Sequence, residues 1–449
     1  MAAARGEFSS RLGFVMAAAG SAVGLGNIWG FPTQAASNGG AAFLLVYVVL
    51  TFCLAYPALM AELIIGRHAH GNAVKALRHI SSGPISLRAG TITGLAGVVV
   101  ASFILSFYAI VAGWMIAYFF QAIAELIGAQ ALGDWLISFS LSRNLLFMFL
   151  FMLLTVGIIS RGVEGGIERW SNRLMPMLLT LLILLVVYVI TLDGAAEGLR
   201  VYLFPDFSQV NSDLIVSALG SAFFSMSLGV GTMLIYGSYI SDKENLPRLG
   251  GMVALVDISI AIMAGFLVLP AMYVAQHNGV EIFTASGDLI SEDTLIFTVL
   301  PALFDTMGIA GVVVAITFFL LMAIAALTSS ISMLEVPVAY AIENHGLNRP
   351  RATKTIGCII AAVSTIILFN FETLFGLVIV VTTRYSQPLL GFMFCIFAGW
   401  IWSRDALLAE LRKGNPDAEN GLFWKIWPTY VRFVCPAIIL LIFVRTLTD

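Results

Sequence analysis

Two stretches of this chain combine helix-breaking residues with an apolar setting: Gly20-Ser21-Ala22-Val23-Gly24-Leu25-Gly26-Asn27 and Ser225-Met226-Ser227-Leu228-Gly229-Val230-Gly231. Each glycine lowers helix propensity by about 1 kcal/mol, so a helix is expected to open at both places. Backbone groups freed in apolar surroundings are costly unless something binds them. Bare carbonyls suit a hard cation, and N–H groups at the start of a half-helix suit an anion. Four ionisable residues also sit inside apolar runs: Glu62, Asp257 between Val256 and Ile258, Glu335 and Arg384. Such a residue marks a functional site by default. Thr328-Ser329 offers two hydroxyls, which by themselves read as back-bonding within a helix. His68 and His70 form an HxH with no third ligand and read as solvated loop residues. Cys53, Cys358, Cys395 and Cys435 lie in apolar runs without a CxxC and read as small buried hydrophobes. No nucleophile–base pair or metal cluster can be assembled from these residues, so the chain does not read as an enzyme.

The elements that must position these groups follow from composition. Of 449 residues, 59% are hydrophobic and 11% charged, against about 25% charged in a soluble domain. A normal water-facing surface cannot be built from that allowance. With 23 Lys+Arg against 26 Asp+Glu the net charge is −3, which leaves no basic excess for nucleic acid. Apolar runs of around 20 residues fit helical spans and not barrel strands. Eleven spans are expected, near 11–37, 41–66, 89–124, 144–160, 168–191, 214–240, 250–276, 308–342, 354–370, 373–402 and 428–447. No linker divides them, so residues 1–449 read as one transmembrane domain. Pro32, Pro57, Pro270 and Pro388 are expected to kink their helices. Arg5, Glu7 and Arg11 precede a glycine-rich stretch, which is no cleavable signal.

With the N-terminus placed in the cytoplasm, eighteen Lys/Arg fall in inner segments and only Arg143, Arg200 and Arg445 in outer ones. This is a strong positive-inside bias, and eleven spans then leave the C-terminus outside. Breaks in spans one and six are equivalent if the first ten spans form two repeats of five. That pattern points to a transporter with inverted repeats and a midplane site. Glycines that merely allow close helix packing are the alternative.

The segment Gly20–Pro32, with Arg11-Leu12-Gly13 before it and Asn38-Gly39-Gly40-Ala41-Ala42-Phe43 after it, resembles the opening signature of the neurotransmitter:sodium symporter family. Gly66-Arg67, Phe223-Phe224-Ser225-Met226-Ser227-Leu228-Gly229 and Thr328-Ser329-Ser330 extend the likeness over ten core spans. The bacterial amino-acid transporters are the similar branch. The resemblance implies an all-α leucine-transporter fold, a 5+5 inverted repeat plus an eleventh helix, in a bacterial inner membrane. It further implies sodium-coupled symport by alternating access, with an amino acid, sodium and the lipid bilayer as partners and a monomer or weak dimer as the assembly. Sodium would stabilise the unwound segments, and release of the inner ion would open the cytoplasmic path.

Residue by residue, the resemblance implies two sodium sites. One would use the Ala22 carbonyl, Asn27, Ser225 and Asp257 with the carboxylate of the substrate. The other would use carbonyls of Gly20, Val23 and Ala325 with the hydroxyls of Thr328 and Ser329. Asp257 departs from relatives that have asparagine, and a fixed charge there could replace the chloride that some relatives bind. Chloride-independent transport is therefore expected; a proton-titrating or structural aspartate is the alternative. The substrate would lie against Ala22, Gly24, Leu25, Gly26, Ile104, Tyr108, Phe224, Ser225, Ser227, Val230, Ser329 and Met333. Gly24 stands where monoamine carriers have aspartate, so a neutral amino acid is expected. Tyr108 and Phe224 would form the outer lid, and Arg5–Glu343 the inner gate beside Ser238 and Tyr239. Phe8 stands where relatives often have tryptophan. Glu62 would accept bonds from unwound backbone, and Glu335 would bond near Tyr239. The usual outer gating arginine is glycine at Gly30, and its acidic partner is replaced near Ile379. Arg384 is expected either to serve as a gate in the outer vestibule or to meet a taurine-like or acidic substrate; snorkelling to a headgroup is the alternative. A non-transporting amino-acid sensor on the same fold is the competing function.

Overall fold

The computed structural model describes residues 6–282 and 295–448. Its regular structure in those residues is helical. The first span is a bent pair, α1 (Arg11–Ala22) and α2 (Gly26–Ser37), meeting at 56°. There follow α3 (Ala41–Ala69), α4 (Pro84–Leu126), α5 (Leu141–Ile159) and α6 (Val163–Val189). The sixth span is two halves, α7 (Ser212–Ser225) and α8 (Thr232–Gly237), joined by non-helical residues 226–231. Then come α9 (Leu246–His277), α10 (Ile309–His345), α11 (Arg349–Phe369) and α12 (Phe371–Ile401). After α12, α13 (Arg404–Gly414) is short and polar, and α14 (Leu422–Leu447) closes the chain. Several spans extend past their expected ends: α4 begins at Pro84 and not at 89, and α14 at Leu422 and not at 428. Proline at a first helical turn explains the early start of α4, because its missing N–H is unneeded there.

The helices sort their surfaces as a bilayer requires. Val49, Ile92, Leu153, Leu184, Ile359 and Leu441 are exposed, while Asn27, Glu62, Asp257, Thr328 and Ser329 are buried. An apolar exterior around a polar interior identifies a multi-pass membrane protein. Two of the cysteines follow this inversion. Cys53 and Cys358 are exposed and not buried as expected, and only Cys395 and Cys435 are interior. An apolar run in a membrane helix faces lipid as readily as core.

α4 and α10 are the long central helices and pack along one another, and α1 packs against α6, α9 and α10. Three of the prolines come directly after widened π turns and not at simple kinks. The turns are Gly26–Gly30 before Phe31-Pro32, Thr51–Ala55 before Tyr56-Pro57, and Val380–Ser386 before Gln387-Pro388. Proline has no N–H to return to the preceding turn and its ring crowds the carbonyl there. A wider turn accommodates both defects. Pro270 lies inside α9 without such a turn.

Candidate functional site

The backbone leaves helical geometry at Val23, whose ψ of 91° is extended. This turns the last carbonyls of α1 towards α10. Ser329 Oγ lies 3.4 Å from the Gly20 carbonyl, 3.2 Å from that of Ser21 and 3.5 Å from that of Val23. Beside it in the sequence, Thr328 Oγ1 donates to the Ala325 carbonyl at 3.0 Å. A side chain at Gly20 would stand 3.2 Å from Thr328 Cβ, so the two helices meet closely. The cluster is neutral and all oxygen, which is the donor chemistry of a hard monovalent cation.

A second cluster joins α2, α7 and α9. Asp257 is wholly buried. Asn27 Nδ2 donates to its Oδ1 at 2.8 Å, and Ser225 Oγ donates to both oxygens at 2.8–2.9 Å. The Tyr47 hydroxyl donates to Ser225 at 3.1 Å, closing the network. Among the described residues no ion pair reaches Asp257, and Asn27 Oδ1 is buried without a hydrogen-bond partner. A buried carboxylate beside an orphaned carbonyl oxygen is an incomplete coordination shell for a cation.

Between the clusters lies a small cavity of about 30 Å³ lined by Ser21, Ala22, Gly24, Leu25, Gly26, Ile104, Tyr108, Phe224, Ser227, Val230, Ser329, Met333 and Gln387. The expected substrate residues are brought together here with one exception, Ser225, which turns to Asp257. The Leu25 N–H donates to the Tyr108 hydroxyl at 3.3 Å, so the freed backbone of span one reaches the cavity wall. Any side chain at Gly24 would meet Ser329 Oγ at 2.5 Å and the Tyr108 hydroxyl at 3.0 Å. On the opposite wall the Gly229 N–H donates to Glu62 Oε1 at 2.7 Å.

Leu25, Gly26, Tyr108 and Phe224 also border a second, wider space of about 820 Å³. Trp29, Phe107, Trp114, Phe297, Phe371 and Phe375 make it an aromatic vestibule. Trp29 and Gly30 of α2 form part of its wall. Arg384 is exposed and lies outside the lining of either space, so its expected place in the vestibule is not where the fold puts it. Arg384 lies within the π turn of Val380–Ser386.

The opposite end is packed shut. Phe8 sits edge-on to Phe14, Tyr236 and Tyr239 at 5.5–6.3 Å, and its N–H donates to the Tyr239 carbonyl at 3.0 Å. Tyr239 donates to Glu335 at 2.5 Å, and Arg349 clamps the same carboxylate with two bonds of 2.8 Å. Glu343 accepts from the backbone and side chain of Asn72, both at 3.0 Å; Arg5, its expected partner, lies outside the described residues. His68 and His70 are not solvated bystanders. His68 Nδ1 is 3.0 Å from Glu410 on α13 and its ring packs at a tilt against Trp402, while His70 meets Asp242.

A membrane-buried cavity flanked by two cation-competent oxygen clusters is the architecture of an ion-coupled carrier. Comparison with known proteins decides which one. The model of the sodium:neurotransmitter symporter family matches residues 5–136 and 128–449. The chain belongs to the sodium:neurotransmitter symporter family. The sodium-dependent transporter YhdH of Bacillus subtilis is 35% identical over 98% of this chain and 97% of its own length. The crystal structure of MhsT in complex with L-phenylalanine superposes with a TM-score of 0.84 at 36% identity, covering 98% of this chain and all of that one. The taurine transporter of Bos taurus, sodium- and chloride-dependent, is 26% identical over 62% of this chain and 52% of its own. As a member of this symporter family the protein is a sodium-dependent transporter with the leucine-transporter fold.

Three residues of the symporter's interior escaped the sequence reading. Tyr47 is a single polar group in an apolar run and bonds Ser225, while Gln387 closes the polar stretch 382–387 and donates to the Leu228 carbonyl at 2.8 Å. Ser21 lies within the glycine stretch, and its carbonyl accepts from Ser227 at 2.9 Å. Only its position in that stretch could have marked it out.

Proposed function

We propose that this symporter couples sodium to uptake of a neutral amino acid, does so without chloride, and takes its substrate from the outside through the aromatic vestibule. The observation that carries the reading is the Asn27–Ser225–Asp257 cluster, a buried negative charge beside an unpartnered oxygen. Sodium bound there satisfies both, and the fixed carboxylate supplies the counter-charge that a chloride would otherwise bring. The cluster of Gly20, Val23, Ala325, Thr328 and Ser329 holds a second sodium. Each ion ties a broken helix to a continuous one: the first joins α2 and α7 to α9, the second joins α1 to α10.

Gly24 supports the substrate class. No acidic side chain fits there, so the substrate brings its own carboxylate to the Leu25 and Gly26 backbone and the Tyr108 hydroxyl. No basic side chain lines the cavity to receive a second acidic group, which favours a neutral side chain. MhsT, similar along its whole length, was crystallised in complex with L-phenylalanine. The concentration of Lys/Arg on one side supports a cytoplasmic N-terminus and an external vestibule.

Uptake of labelled amino acids into proteoliposomes tests this. An inward sodium gradient should drive accumulation, and replacing all chloride by gluconate should leave the rate unchanged. Collapse of uptake in gluconate would sink the chloride-independent reading. Binding without counterflow would establish the sensor instead.

A further inference from the structure

We infer that Gln387 reads the substrate's side chain, and that the preferred substrate is a neutral amino acid carrying a side-chain N–H or O–H donor. The inference rests on the amino-acid reading above and narrows it. Gln387 opens the helical run after the π turn of α12, is 3% exposed and lines the central cavity. Its Nε2 donates to the Leu228 carbonyl at 2.8 Å, a group freed because the sixth span is open there. That bond fixes the amide's orientation, since the flipped amide would set oxygen against oxygen. Gln387 Oε1 is therefore held in place, buried and without a partner.

The other polar side chains of the cavity wall are already engaged. Ser227 donates to the Ser21 carbonyl, Ser21 donates to Ser332 at 2.6 Å, and Ser329 lies against the carbonyls of α1. Tyr108 accepts from Leu25. The Gln387 side-chain oxygen Oε1 is the polar side-chain atom on this wall that is buried with no hydrogen-bond partner at all. A ligand with an apolar side chain would seal it from water unsatisfied, whereas a ligand donor removes that penalty. A site built to receive a donor discriminates against an isostere lacking it far better than an apolar pocket discriminates by shape.

The test is sodium-dependent binding of isosteric pairs to the purified transporter: threonine against valine, asparagine against leucine, and tryptophan against its benzothienyl analogue. In the pair that binds most tightly, the donor-bearing member should bind roughly tenfold or more tightly than its isostere. Gln387→Met should bring that ratio to within about threefold of unity. Equal or tighter binding of the apolar members by the unaltered protein overturns the inference. So does a Gln387→Met variant that weakens both members in parallel and keeps the ratio, because Gln387 would then serve only to hold the Leu228 carbonyl. If no panel member binds in sodium, the amino-acid reading falls and this inference with it.

Discussion

Asp257 concentrates the chemistry of the interior in one side chain. A unit charge about 4 Å from a cation contributes about 4 kcal/mol at an effective dielectric constant near 20, partly offset by the cost of burying it. Asp257→Asn is therefore expected to raise the sodium concentration for half-maximal binding at least roughly tenfold, read by sodium titration of thermal stability. An unchanged midpoint would place the ion elsewhere. Gly24→Ala, whose added carbon would press on Ser329 and Tyr108, should weaken substrate binding by more than tenfold, about 1.4 kcal/mol. Sodium binding at the Asp257 cluster should be spared, and equal loss of both would contradict the assignment. Asp257 stood out in the sequence as a charge inside an apolar run, whereas Gly24 stood out only through the resemblance to monoamine carriers that have aspartate there. Gln387 and Tyr47 stood out in neither way. Their meaning depends on Leu228 and Ser225, which lie 159 and 178 residues away.

At the scale of elements, the two openings carry the site, and glycine and serine announced both of them in the sequence. The break in the sixth span is held from two sides. Gly229 has φ +79°, a conformation that disfavours side chains, and a carbon added there would lie 2.1 Å from the Gln387 carbonyl oxygen. Gly229→Ala should cost at least about 1–3 kcal/mol and lower the apparent melting temperature, with or without substrate. A melting temperature equal to that of the unaltered protein would show that the segment relaxes freely. The π turns were not legible. Proline marks a disturbance in a helix, but whether the chain answers with a kink or a wider turn depends on neighbouring helices that local sequence does not describe.

Across the whole molecule, α13 is fastened beneath the bundle by charge. Arg67 at the end of α3 bonds Glu410 at 2.7 Å with both side chains fully buried, and Arg67 also reaches the Glu244 carbonyl at 2.7 Å. Burial raises the Glu410 carboxyl, but the His68 hydrogen bond, the Arg67 charge and Lys413 outweigh it and hold it at about 2. An unfolded glutamate titrates near 4.3. Because the folded value is the lower one, this stabilisation is complete above about pH 4.3 and fades as pH falls towards 2. Glu410→Gln should flatten the acid limb of stability between about pH 4.3 and 2, followed by thermal unfolding in detergent. An unaltered limb would mean that the link contributes nothing. Arg67→Ala leaves the carboxylate only His68 and Lys413 and should also destabilise the protein. Membrane class and span order were plain from hydropathy, whereas this link joins residues 343 apart and turns a pair of apparent loop histidines into part of a joint.

The bend between α1 and α2 also has a mechanical meaning. The twelve residues of α1 make a rod about 18 Å long, hinged where the Gly20–Val23 carbonyls face Ser329. A swing of roughly 15° about that hinge carries its far end about 5 Å while the carbonyls at the pivot barely move. A sodium ion at the proposed Ser329 site would sit at that fulcrum and could stay coordinated through most of the stroke; its departure would free the whole arm, whose Phe8 tip would travel furthest.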